Sequence, residues 1–118
     1  MIGPNENIND WEVNLFRSIR DIADIKMQNK AWLGLNPKVV SSYSEIISVL
    51  YDDFDFERYI MYYNSLKEKD DCLYQLFLDL DQMINNYKKK ITDEQILLDP
   101  KWIEITDKAK EVVFLLKK

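Results

Sequence analysis

Glycine and proline are scarce along this chain, and their scarcity restricts the folds that it can adopt. Only two glycines and three prolines occur among its 118 residues. A sandwich or barrel needs a turn roughly every 8–12 residues, and such turns depend heavily on these two residue types. Helices joined by short polar loops need far fewer of them. The sequence therefore predicts an all-α fold.

Apolar side chains recur three and four residues apart through most of the chain, the spacing of one face of an amphipathic helix. Ser, Thr, Asp or Asn precedes most of these runs and can cap the helix that follows. Caps are expected at Asn9, Ser42, Asp53 or Asp55, Asp70, Thr92 and Asp99. The pattern predicts a compact single-domain bundle of about five to six helices over residues 9–118, after a loose lead-in over residues 1–8.

Two segments between the predicted helices carry expectations of their own. The first helix is expected to run to about Gln28, and Asn29–Ser41, which holds a glycine and a proline, is expected to be a loop. Because this loop also holds apolar residues such as Trp32, we expect it to lie across the core as a lid. Lys88–Lys90 are expected to end the fourth helix, where cations complement the helix dipole.

The residues that most catalytic and cofactor sites require are missing. The chain has no histidine and one cysteine, and its two glycines are too few for a phosphate-binding loop. The cysteine, Cys72, stands beside leucines of a predicted helix and is expected to be a small buried or half-buried side chain. We therefore expect a protein that is not an enzyme and that has no cofactor and no metal site.

The sequence also lacks the patterns that direct proteins to membranes or across them. Met1–Asp10 is polar and has neither the cationic nor the apolar region of a signal peptide. No run approaches the roughly 18 apolar residues of a membrane span. We expect a cytoplasmic protein that contacts no membrane. Direct contact with nucleic acid is also not expected, because an acidic chain repels a phosphate backbone.

The negative charge of the chain is concentrated in its middle third. The net charge is −5 overall, and residues 42–81 alone hold ten acidic and three basic side chains, a net of −7. Residues 1–41 are neutral, and residues 82–118 carry +2. The densest part is Leu50–Glu57, in which aromatic rings interleave with Asp52, Asp53, Asp55 and Glu57. We expect these carboxylates to project outward and some of the rings to anchor inward. We call Leu50–Glu57 the acidic junction, because it lies between two predicted helices.

Three interpretations of the acidic junction remain open. It is a capped connection between helices with a solvated acidic face, a docking surface for a basic protein, or a metal site. Docking surfaces combine carboxylates that pair with Lys or Arg with aromatic side chains that supply contact area. A metal site has less support, because neither the loop glycine nor the position-12 Glu of an EF-hand follows.

Other residues extend the candidate docking surface. Asp79 and Asp81 flank the apolar face of the fourth helix, so we expect at least one of them to face solvent. Tyr59 falls on the apolar stripe of its helix, whereas Tyr62 falls off that stripe and is the better candidate for an exposed contact. The candidate partner-binding residues are Asp52, Asp53, Asp55, Glu57, Tyr62, Asp70 and Asp71.

Several motifs resemble a known class of proteins. Ser42–Glu45, Leu50–Asp53 and Leu97–Trp102 with the trailing Ala109 are similar to small cytoplasmic immunity proteins. Those proteins accompany bacterial contact-dependent growth inhibition toxins and related polymorphic toxins, and the resemblance covers residues 32–116 in general layout. It implies a one-to-one inhibitor of a toxin domain, often a basic nuclease, that is held through an acidic surface.

The hypothesis from sequence is therefore an immunity protein that binds and inhibits a cognate toxin domain through its acidic, aromatic-rich surface. One alternative is a regulatory or adaptor domain that binds a basic protein without inhibiting it. Another is an enzyme whose carboxylates line a pocket. The oligomeric state and the identity of the partner stay open.

Overall fold

The fold consists of helices and their connections throughout the part of the chain that is described. The computed structural model describes residues 8–34, 41–66 and 72–116, which form seven α-helices and one π-helical turn. The helices are α1 (Ile8–Ala23), α2 (Ile25–Trp32), α3 (Tyr43–Ser48), α4 (Phe56–Leu66), α5 (Cys72–Asn86), α6 (Asp93–Leu97) and α7 (Pro100–Leu116), and the π-turn (Val49–Asp53) continues α3. The prediction of an all-α, single-domain bundle is confirmed.

The two longest helices form the centre of the bundle. α1 packs along α7, α5 packs against another side of α7, and α4 lies on α5. α2 and the short α6 contact each other, and the α3 end of the bundle rests on α1. The fully buried side chains of the three central helices are Leu15, Ile19 and Ile22 on α1, Phe77 and Leu80 on α5, and Trp102, Ala109 and Val112 on α7. Their spacing of three, four and seven residues confirms the predicted helical faces.

Three of the predicted caps form the expected hydrogen bonds. Thr92 and Gln95 make a complete capping box at α6, with N···O distances of 3.2 and 3.3 Å. The Asp99 Oδ1 atom accepts from the Lys101 N–H at 3.0 Å and so caps α7. Ser42 Oγ accepts from the third helical N–H of α3. Each cap satisfies a backbone donor that the helix itself leaves without a partner.

The first predicted helix is interrupted at Asp24. The Asp24 carboxylate accepts from the Met27 N–H at 3.0 Å and starts α2, which continues to Trp32. The prediction of one helix to Gln28 followed by a loop from Asn29 was therefore wrong for residues 29–32. Asn9 lies inside the first turn of α1, so the prediction that it caps this helix was wrong as well.

Gln28 stabilises this break from the inside of the protein. Its side chain is fully buried, and its Nε2 atom donates to the carbonyl oxygens of Asp21 and Ile22 at 2.9 and 2.8 Å. These carbonyls belong to the last turn of α1, where helical partners run out. The Gln28 Oε1 atom accepts from the Trp102 Nε1–H at 2.9 Å. One buried amide thus closes α1 and ties α2 to α7.

The predicted lid is only partly described. Trp32 is buried, and its ring centroid lies 6.2 Å from that of Tyr43 and 5.9 Å from that of Trp102. It therefore covers the core as expected, but from the last turn of α2 and not from a loop. Residues 35–40, the rest of the predicted lid, lie outside the described residues, as do the predicted cap Asp70 and residues 1–7.

Two further predictions about α5 were wrong. The helix ends at Asn86, so Lys88–Lys90 lie beyond it in an exposed connection. Tyr87 leaves the helix because its hydroxyl donates to Asp99 Oδ2 at 2.7 Å. Cys72 is exposed and not buried, because it stands five residues, or about 140° of helix rotation, from the fully buried Phe77.

Within residues 8–34, 41–66 and 72–116, no helix is both long enough and apolar enough to cross a membrane.

Candidate functional site

The acidic junction connects α3 to α4. α3 widens into the π-turn, which ends where the Phe54 N–H donates to the Val49 carbonyl at 3.1 Å. Asp55 follows with a φ of 47°, a left-handed conformation that is costly for most residues but tolerated by Asp and Asn. α4 then begins at Phe56. Single π-turns of this kind occur often at functional sites.

Aromatic side chains anchor the junction to the rest of the protein. The Trp11 Nε1–H of α1 donates to the Phe54 carbonyl at 2.7 Å. The Tyr51 hydroxyl donates to Asp81 Oδ1 of α5 at the same distance. Phe56 is fully buried, with its ring 6.0 Å from that of Phe77. The expectation that some rings of the junction anchor inward is confirmed, and the backbone of the junction is held from two sides.

Three of the four junction carboxylates face solvent. Asp52, Asp53 and Glu57 are exposed, and among the described residues none of them forms an ion pair. Asp52 accepts a hydrogen bond from the Ser48 hydroxyl at 2.9 Å, which keeps its charge at the surface. These three side chains therefore carry negative charge that the described part of the molecule leaves unbalanced.

Asp55 has a different position from the other three. It is half-buried, and its Oδ1 atom accepts from the Arg58 N–H at 3.4 Å in the first turn of α4. It therefore acts as the cap of α4, as the sequence allowed. The prediction that Asp55 projects outward with the other carboxylates was wrong.

Two tyrosines hold the α4 side of the molecule through carboxylates. Tyr59 is fully buried, and its hydroxyl donates to Glu12 Oε2 of α1 at 2.7 Å. The Tyr51–Asp81 bond described above is of the same kind and length. Burial, and then the hydrogen bond to the carboxylate, raise the pKa of both Tyr51 and Tyr59 well above the usual value. Both hydroxyls thus stay protonated at neutral pH and remain donors.

Tyr62 does not provide the exposed contact that was expected. It is half-buried, and its ring centroid lies 5.7 Å from that of Trp11 and 6.0 Å from that of Tyr59. Trp11 comes from α1, so the α4 sequence pattern could not show that it covers Tyr62. Asp79 and Asp81 are both half-buried, so neither faces solvent as plainly as expected. Asp70 and Asp71 lie outside the described residues.

The structure adds one residue to this surface. Met61 is 73% exposed, although methionine is a large apolar side chain. It stands four residues after Glu57 on α4, so the two share one face of the helix. The sequence signal was available, because Met61 falls off the buried stripe of Phe56, Tyr59 and Ile60. We define the acidic face as Asp52, Asp53, Glu57 and Met61.

The acidic face has no metal site of the usual composition. Across the described segments, no three side chains of the metal-ligating types lie close enough together to hold an ion. The fold and this surface define an all-α bundle that presents exposed carboxylates beside an exposed apolar side chain. Comparisons with protein-family models, with curated proteins and with solved structures find no match to this chain.

We expect substitutions at Asp55 to separate its cap from its charge. Asp55→Ala should lower the free energy of unfolding by about 1–3 kcal/mol. Alanine removes the cap, and it lacks the short polar side chain that lets Asp and Asn adopt a positive φ. Asp55→Asn should cost less than about 0.5 kcal/mol, since Asn caps helices and adopts this conformation. Urea unfolding measures both. Asp53→Ala is the control, and equal losses in the Asn and Ala variants would contradict the assignment.

Proposed function

We propose that this chain is a binding protein that neutralises a basic protein, in the manner of the immunity proteins of contact-dependent growth inhibition systems. The observation that carries this proposal is the exposure of Asp52, Asp53 and Glu57 on a junction that two hydrogen bonds, from Trp11 and from Tyr51, tie to α1 and α5. The resemblance in the sequence points in the same direction. We place the protein in the cytoplasm, where a toxin would meet its target.

The acidic face favours binding in two ways. The summed field of its carboxylates attracts a positively charged partner and raises the rate of encounter. Because the bonds from Trp11 and Tyr51 already restrain the junction, less backbone entropy is lost on binding than a free loop would lose. A rigid negative surface of this kind fits a rigid positive one.

A basic nuclease is the toxin class that this surface fits best. An enzyme that cleaves nucleic acid needs a positive cleft to hold phosphates. Asp52, Asp53 and Glu57 supply three carboxylates with which Lys and Arg of such a cleft can pair. Met61 supplies an apolar contact within the same face. Asp70 and Asp71 remain predicted contributors to the negative field on sequence grounds alone.

Calorimetry with the protein encoded by the neighbouring gene tests this function. Wild type should bind with sub-micromolar affinity that weakens as salt is added. The D52K/D53K/E57K variant should bind at least roughly 100-fold more weakly, because reversed charges repel the same cleft. An assay of the partner's nuclease activity separates an inhibitor from an adaptor, which would bind without lowering that activity.

A charge-matched control makes the result specific. The E94K/E104K/D107K variant reverses three exposed carboxylates on α6 and α7 and changes the net charge equally. It should keep affinity within roughly tenfold, because distant surface charges are largely screened at physiological salt. Equal losses in both variants, or no binding of wild type to the neighbouring protein, would contradict the proposed function.

A further inference from the structure

A second surface of opposite charge lies where α5, the connection to α6 and the start of α7 meet. Two shallow depressions of about 590 and 580 Å³ adjoin there and share Lys90, Asp99 and Pro100. Lys88 and Lys101 line the first depression, and Lys89, Ile91 and Leu98 line the second. We call the two together the basic groove.

The basic groove combines exposed aliphatic side chains with a positive rim. Ile91 is 91% exposed and Leu98 is 74% exposed, and both line the same depression. Four lysines line the groove, against the carboxylates of Asp99 and Glu104, which leaves a net charge of +2. Neighbouring exposed aliphatic side chains with a polar rim are a feature that protein contact sites share.

The Asp99 carboxylate is already engaged inside the groove. It is buried and accepts both from the Tyr87 hydroxyl at 2.7 Å and from the Lys101 N–H at 3.0 Å. The hydrogen bond from Tyr87 is the main cause that holds its pKa below the usual value, and the Lys90 and Lys101 charges add to it. Lys88 and Lys89 therefore contribute the excess positive charge at the rim.

The composition of the groove argues against two kinds of occupant. A small anion would sit beside the carboxylates of Asp99 and Glu104 and would leave Ile91 without an apolar partner. An anionic bilayer would repel the molecule as a whole, whose net charge is −5. The groove instead requires a surface that offers carboxylates and an apolar side chain together.

The acidic face of this same chain has that composition. The three carboxylates of the acidic face complement the lysines of the groove in charge. Met61 is apolar and exposed, as are Ile91 and Leu98. We propose that the basic groove of one copy docks the acidic face of a second copy, head to tail. This contact does not require a toxin partner, so it stands or fails separately from the proposed function.

The geometry of such a contact determines how the protein assembles. The groove and the acidic face are different surfaces, so each docked copy keeps one of them free, and further copies can add. Both copies carry net negative charge, which opposes association and keeps the contact weak. We therefore expect monomers in dilute solution and larger species as the protein concentration approaches the millimolar range. A basic partner on the acidic face would compete with this assembly.

Sedimentation velocity over a concentration series tests the contact. The full chain should show a weight-average sedimentation coefficient that rises with concentration and falls back as salt is added. Charge reversal on either surface should weaken self-association at least roughly tenfold, because it places like charges across the contact. The groove variant is K88E/K89E/K101E, and the acidic-face variant is D52K/D53K/E57K. Mixing these two variants should restore association, since the reversed groove then meets the reversed face.

Control variants distinguish this contact from a general effect of net charge or of misfolding. K26E/K30E/K110E changes the net charge as much as the groove variant does, but leaves the groove and the acidic face intact, so it should associate within roughly threefold of wild type. I91S/L98S should weaken association with no change in charge. Circular dichroism confirms that each variant is folded. The proposal would be overturned if association survived both charge reversals or if the mixed variants stayed monomeric. It would also be overturned by wild type that stays monomeric and binds phosphatidylserine vesicles.

Discussion

Replacing Trp102 with alanine is expected to lower the free energy of unfolding by about 3–5 kcal/mol, the range for deleting a fully buried large aromatic side chain. Trp102 lies between α2, α3 and the end of α5, with ring centroids 5.9 Å from Trp32, 5.3 Å from Tyr43 and 5.8 Å from Tyr87. Its removal leaves a cavity among three rings and leaves the buried Gln28 Oε1 without its donor. Urea denaturation followed by circular dichroism measures the change.

Two further variants divide this loss into its parts. Trp102→Phe keeps most of the ring volume but removes the Nε1–H, so it should cost about 1–3 kcal/mol, the cost of a buried acceptor left without a partner. Ile103→Ala changes the next residue of α7, which is exposed, and should cost less than about 1 kcal/mol. If Trp102→Phe were as stable as wild type, the bond to Gln28 would not hold α2 to α7.

The cap residues were predictable from sequence because they act over three residues or fewer. Thr92 with Gln95, and Asp99 with Lys101, satisfy backbone groups of the helix that they begin, and no distant residue is needed. The break at Asp24 was not predicted. Its stability depends on the buried Gln28 side chain, whose Oε1 atom is satisfied by a donor from Trp102, 74 residues later.

The candidate site shows the same division between local and distant causes. The position of the acidic junction and the exposure of Asp52, Asp53 and Glu57 followed from composition and spacing. The half-buried position of Tyr62 did not follow, because it depends on Trp11 of α1, which also binds the Phe54 carbonyl 43 residues away. A pattern along one helix cannot show which other helix covers it.

The lysines after α5 show how a plausible local rule can fail. Three cations at the end of a periodic run favour a helix C-terminus. The helix nevertheless ends at Asn86, before them, because the Tyr87 hydroxyl binds Asp99 and its ring lies on Trp102. Lys88–Lys90 therefore form the rim of the basic groove instead of the last turn of α5. Their contribution to that groove depends on the start of α7, which packs against α5.

Raising the pH above about 10 is expected to unfold the protein steeply, because three tyrosine hydroxyls hold the bundle together only while they are protonated. The hydrogen-bonded pairs are Tyr51 with Asp81, Tyr59 with Glu12 and Tyr87 with Asp99, each 2.7 Å long. In every pair, burial is the main cause that raises the tyrosine pKa in the folded state, and the bond to the carboxylate adds to it.

The direction of the pH effect follows from these raised pKa values. Below about pH 10 the hydroxyls are protonated in both the folded and the unfolded chain, so the full stabilisation is present. Above it, the unfolded chain loses protons that the folded chain keeps, and the free energy of unfolding falls by up to about 1.4 kcal/mol per pH unit for each tyrosine. The stabilisation is lost completely only as the pH rises through the raised, folded-state values.

Urea denaturation across the alkaline range tests this expectation. These three hydroxyls should together lower the free energy of unfolding of wild type by up to about 4 kcal/mol per pH unit above pH ~10. Burial also raises the pKa of Tyr43, which adds to the loss in wild type and in the variants alike. Tyr51→Phe should be less stable at neutral pH, because Asp81 loses the nearer of its two donors and keeps only Asn85. Its free energy of unfolding should nevertheless fall less steeply with pH, by the contribution of one proton. In the double variant Tyr51→Phe with Tyr59→Phe, the free energy of unfolding should fall still less steeply with pH, by the contribution of a second proton. An unchanged slope in these variants would show that alkaline unfolding has another cause, since a phenylalanine has no proton to lose.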